Sequence, residues 1–115
     1  MGEIFRRYQD VPAGSTVEVE VSPCDGKVAT KAKLIRSDGV DTWDPCLNPN
    51  PTTTLRKGKR YFISVLLGFQ QSATVTLVVR VRTPGGGVHS SPWTWTVTGK
   101  KGDIKFHGGF IERVI

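Results

Sequence analysis

The fold turns on Thr16–Ile35, TVEVEVSPCDGKVATKAKLI. In its first half Val17, Val19 and Val21 alternate with Glu18 and Glu20. In its second half Val28, Ala32 and Leu34 share one side and Lys31 and Lys33 the other. A period of two is the signature of a strand with one buried face. Between the halves, Asp25-Gly26 supplies the residue pair favoured in a two-residue type I′ hairpin turn. A turn there pairs Cys24 with Lys27, sets Glu20 opposite Lys31 and Glu18 opposite Lys33, and stacks Val19 on Ala32 and Val17 on Leu34. One register thus satisfies charge and burial together. Each exposed ion pair contributes only a few tenths of a kcal/mol, so in this hairpin the buried side sets the register.

Working outward, the same period recurs. KRYFISVLLG and ATVTLVVRVRT, joined by FQQS, read as strands, and the second alternates Val75, Leu77, Val79 and Val81 with Thr and Arg. PGGG ends it. SPWTWTVTG follows, then IKFH and FIERVI separated by Gly108-Gly109, while EIFRRYQ offers a further strand at the start. DGVDTWDPCLNPNPTTT, rich in Pro, Asp and Asn, reads as a long irregular connection. Seven to eight short strands with turn chemistry between them predict a single all-β domain over residues 1–115. The predicted architecture is an antiparallel β-sandwich, Ig-like or jelly-roll-like, with a β-barrel as the alternative. VPAGSTVEVEV and LRKGKRYFISVLL resemble the strand openings of many bacterial and viral sandwich modules, a likeness that names no family. The Ig hallmark of cysteines on facing strands around a tryptophan is absent.

A length of 115 residues suits one domain with a real core. No apolar run is long enough for a membrane helix. No stretch near Met1 has the order of a signal peptide. The sequence therefore predicts synthesis in the cytoplasm, a leader already removed, or assembly inside the cell into a particle such as a virion. The net charge of +6 permits an anionic partner. The basic residues are dispersed, as on the wet faces of strands.

Several residues are candidates for function. Trp93 and Trp95 share one side of a strand about 7 Å apart. They read as a core row, a contact with a partner chain, or a platform for sugar rings. Trp95, in mid-strand, is expected to be buried, and Trp93, just after Pro92, partly exposed. Trp43 reads as a lid over the end of the sandwich or as part of a ligand site. Arg56, Lys57, Lys59 and Arg60 form the densest basic cluster, beside Tyr61 and Phe62, and suit nucleic acid only if that strand face stacks bases. Cys24 and Cys46 form a possible disulfide, and their spacing makes no zinc site. Asp38, Asp41, Asp44, Asn48 and Asn50 are oxygen ligands of the kind calcium takes, but at no EF-hand spacing. They are explained by turn formation, so no metal and no cofactor is expected.

His89 beside Ser90 is adjacency only, because strand neighbours point to opposite faces. His107 sits by a turn at Gly108-Gly109. No nucleophile motif, metal-binding helix motif or phosphate loop is present. The sequence therefore predicts a non-catalytic structural or interaction module, a subunit or decoration of a larger assembly such as a phage particle or a surface or secreted complex. Its partners are other proteins or its own copies. A carbohydrate-binding module using the tryptophans is the alternative, and a nucleic-acid-binding barrel the second.

Overall fold

The structure, a computed structural model, describes residues 5–50 and 53–115. Its strands are β1 (Phe5–Tyr8), β2 (Thr16–Ser22), β3 (Val28–Arg36), β4 (Gly39–Trp43), β5 (Tyr61–Phe69), β6 (Ala73–Arg82), β7 (Trp93–Gly99) and β8 (Ile104–Ile111). They form a β-sandwich of two sheets, ordered β1-β8-β5-β3-β4 and β2-β6-β7. All pairings are antiparallel except β1 with β8. The two inner faces meet in one core, including Val17, Val19, Leu34, Ile63, Val65 and Leu77, all fully buried.

The expected β2–β3 hairpin does not form. β2 lies in the small sheet against β6, and β3 lies in the large sheet between β4 and β5. Gly26 has the positive φ expected of a turn glycine, at 87°, but Asp25 does not, so no type I′ turn closes there. Asp25 instead accepts a hydrogen bond from the Lys27 amide. The valines of β2 and the Ala32–Leu34 side of β3 still bury toward each other, but across the sandwich rather than side by side. Glu18 and Glu20 then point outward from one sheet and Lys31 and Lys33 outward from the other. Glu18 finds Arg80 directly opposite it on β6 and Arg82 beside that. A local charge match was outweighed by a distant one that also fills the core.

Two further expectations need correction. The connection after Ser37 is not irregular from its start, because β4 turns back on β3 through Ser37 and Asp38. Its five residues were too few, and too mixed with Asp and Gly, for alternation to stand out. Gly108-Gly109 is not a turn either. β8 runs straight through it, and His107 is buried in mid-strand. Two strands pass so close there that a side chain has no room: a Cβ on Gly108 would lie 1.8 Å from the Ile63 carbonyl oxygen, and one on Gly109 2.1 Å from that of Arg6.

The rest of the β4–β5 connection stitches the sheets together. Cys24 and Cys46 form a disulfide with Cα atoms 5.7 Å apart. The Val19 amide donates to the Pro49 carbonyl and the Leu55 amide to that of Ser15, so this segment lies along the open edge of β2. Open strand edges invite unwanted pairing, and a covering loop prevents it. At the far end of the chain, Val114 bridges Val11 and is buried, and the Ile115 amide donates to the Val11 carbonyl. The C-terminal segment thus packs on this domain's own fold.

Candidate functional site

The two outer faces of the sandwich differ in kind. On the small sheet, the outward residues of β2, β6 and β7 are mainly Thr, Glu and Arg. Thr94, Thr96 and Thr98 stand in a row, and Thr74 and Thr98 share a hydrogen bond. Glu18 is hydrogen-bonded by Arg80. Burial alone would raise the pKa of this carboxyl, but the Arg80 hydrogen bond and the neighbouring Arg82 charge together hold it below its ordinary 4.5. This is a solvated face.

The large sheet presents an apolar one. β5 is the source. Tyr61, Ile63, Val65, Leu67 and Phe69 point into the core, and the alternate positions, which face outward, include Phe62 and Leu66. A strand apolar on both sides is the pattern of one covered on both sides. Among the described residues, Phe106, Ile104 and Phe110 on this outer side remain 52%, 65% and 41% exposed. β8 continues the surface with Phe110 opposite Phe62, Phe106 opposite Leu66 and Ile104 opposite Gly68. On the other flank β3 sets Ile35 opposite Phe62, Lys33 opposite Ser64 and Lys31 opposite Leu66, and β4 adds Val40 beside Ile35. Val40 is likewise 52% exposed. Phe62 and Phe110 pack ring to ring at 4.9 Å.

Two hollows mark this face. A groove of about 560 Å³ runs past Phe62, Phe110, Ile35, Arg7 and Arg60. A more enclosed one of about 270 Å³ is walled by Lys31, Lys33, Ser64, Leu66 and Phe106. The second arises because small residues, Gly108 and Ser64, occupy the level between the Phe110–Phe62 row and the Phe106–Leu66 row. At the margins Arg36 pairs with Asp38 and Asp41, and Arg7 with Glu112. Lys31 and Lys33 have no ion pair among the described residues.

The tryptophans lie elsewhere. Trp95 is buried as expected, at 8% exposure, but so is Trp93, at 4%. The correction has a non-local cause. β1, from the start of the chain, closes over the β7 edge and stacks Tyr8 on Trp93, centroids 4.4 Å apart. The Tyr8 hydroxyl donates to the Ser91 carbonyl at 2.8 Å, and burial, acting first, pushes its pKa up to about 12. Trp95 packs edge-on to His107 at 5.3 Å, with the Arg6 guanidinium 5.3 Å from its ring centroid. Burial, with the Lys105 charge, lowers the pKa of His107. Neither indole offers an open face to a ligand. Trp43 packs against the core from its place opposite Ala32.

The basic cluster is split. Arg56 is engaged with Asp38 at 3.2 Å, Lys57 and Gly58 form a turn, and Arg60 reaches the large groove. Tyr61 is buried, its hydroxyl accepting from the Arg56 amide, and Phe62 lies against Phe110. The oxygen-rich loop is likewise occupied by its own structure. Asp44 accepts from Thr30 and from the Cys46 amide, and Asn48 from the Asn50 amide. Among the described residues no group of three His, Cys, Asp or Glu side chains is placed to hold a metal. Among the described residues no helix is long and apolar enough to cross a membrane.

Sequence reading passed over Ile104, Phe106, Phe110 and Leu66. Part of the signal was available in YFISVLL, where only Ser64 interrupts a run apolar at both inward and outward positions. Compared with known proteins, the chain matches no family model, no curated protein and no solved structure. The fold and this surface are what define it.

Proposed function

We propose that this protein is a non-catalytic interaction module, a subunit or decoration of a larger assembly, that docks through the outer face of its five-stranded sheet onto another protein. The observation that carries the reading is the second apolar side of β5, extended by Phe106 and Phe110 of β8. Solvated sheet faces alternate polar residues outward, as the small sheet does. A contiguous apolar patch on a folded chain marks a contact surface. The sugar-platform reading loses its support, since Trp93 and Trp95 are buried. The nucleic-acid reading loses its barrel, since the strands form two separate sheets.

The test is site-specific photo-crosslinking in cells of the organism that encodes the chain. A benzophenone side chain at position 106 should give a discrete adduct with a second polypeptide, and one at Thr96 on the small sheet should not. Equal labelling from both positions, or none from 106, would refute the proposal.

A further inference from the structure

We infer that the occupant of this face is a short segment of another protein that places carboxylates among apolar side chains, with two of them about 7 Å apart. The inference rests on the docking face proposed above and adds the chemistry of what docks. Lys31 and Lys33 wall the same hollow as Leu66 and Phe106, so whatever fills it packs beside two lysine side chains. Lys105 on β8 is turned away to the Thr98 carbonyl at 2.8 Å. An uncharged occupant packed against them would desolvate both charged side chains and give no pairing in return. A carboxylate-bearing occupant removes that cost. Alternate residues of a strand are about 7 Å apart, so Lys31 and Lys33 match two carboxylates at positions i and i+2 of an extended segment. Ala29 and Ile35 continue the same outward row and call for apolar residues on either side of those carboxylates.

A second copy of the same face does not supply this chemistry. It brings the same lysines, and its marginal acids Asp38, Asp41 and Glu112 are already held by arginines. The other outer face of a second copy carries Glu18 and Glu20, but both are already held by Arg80, and around them it presents Thr and Arg where apolar side chains are needed. Size favours a segment over a folded surface. From strand spacings the patch measures roughly 20 Å by 20 Å, about 400 Å², against the roughly 800 Å² per partner of a stable folded interface. A bilayer is the weaker fit, because membrane-binding proteins hold cations at the rim of the inserted surface, whereas here they wall the hollow itself.

The test is an amide-resonance titration of the full chain with the peptide Gly-Phe-Leu-Glu-Leu-Glu-Phe-Leu-Gly, its Gln-for-Glu counterpart, and vesicles of phosphatidylcholine with phosphatidylserine. The Glu peptide should shift the amides of Ser64–Leu66 and Phe106–Phe110 saturably, bind at least tenfold tighter than the Gln peptide, and weaken with salt. In the Lys31→Gln/Lys33→Gln variant that tenfold preference should vanish while the melting temperature stays unchanged. Equal binding of both peptides to the parent would overturn the carboxylate assignment and leave the docking face standing. Vesicles shifting these amides when neither peptide does would overturn it in favour of a lipid surface. If neither peptide nor vesicle binds, the inference falls, and crosslinking from position 106 decides separately whether the docking face falls with it.

Discussion

Removing the Cys24–Cys46 disulfide should lower stability by about 3 kcal/mol. The bond joins the β2–β3 crossover to the loop that lies along the β2 edge, and it closes a loop with a sequence separation of 22. In the unfolded chain a crosslink of that span removes loop-closure entropy worth roughly 3 kcal/mol at 25 °C. For a chain of 115 residues, a loss of that size lowers the thermal midpoint by about 10–15 °C. The perturbation is Cys24→Ser/Cys46→Ser, and the assay is guanidinium denaturation of parent and variant, with thermal scans alongside. Because the effect acts through the unfolded state, the denaturant slope should rise in the variant as its unfolded chain expands. The native spectrum should stay the same, since Val19 still donates to Pro49 and Leu55 to Ser15. A stability loss below about 1 kcal/mol with an unchanged slope would refute the reasoning. So would a variant that never folds, since the core does not depend on this bond.

Other consequences can be checked in the same way. Trp93→Ala and Trp95→Ala should each cost about 3–5 kcal/mol in denaturation, since each ring fills a buried space that the sheets cannot close; a Trp93 variant as stable as the parent would mean that β1 does not cover it. Gly109→Ala should cost on the order of 1–3 kcal/mol, because the new methyl meets the Arg6 carbonyl and the Trp93 ring, and proteolysis should then release β1 first. Glu18 has a folded pKa below its ordinary 4.5, so its contribution is full above that pH and is lost as pH falls through the lowered value; thermal midpoints of Arg80→Gln should show a shallower acid fall than the parent's. His107 also has a lowered pKa, so stability should decline as pH drops below about 6.5, where the unfolded state takes up the proton first, and His107→Gln should flatten that decline.

The sequence by itself determined where most of the strands are and which side of most of them is buried. Alternation in β2, β3, β6 and β7 is a local property, because successive side chains on a strand must point to opposite faces. The rows Val17–Val21, Val75–Val81 and Trp93–Val97 accordingly all lie inward. Two cysteines with an even count likewise made the disulfide a definite possibility. Which strands became neighbours was decided only by the tertiary structure. Glu18 and Glu20 match Lys31 and Lys33 as well as they match Arg80, and one-dimensional patterning cannot tell pairing beside a strand from stacking across a core. The same limit hid the fate of Trp93, since its cover, Tyr8, comes from a strand far away in sequence. It also hid the candidate site. That Phe62, Leu66, Phe106 and Phe110 share one outer face follows from the β5–β8 register, and register is fixed by packing on the opposite, buried side of both strands.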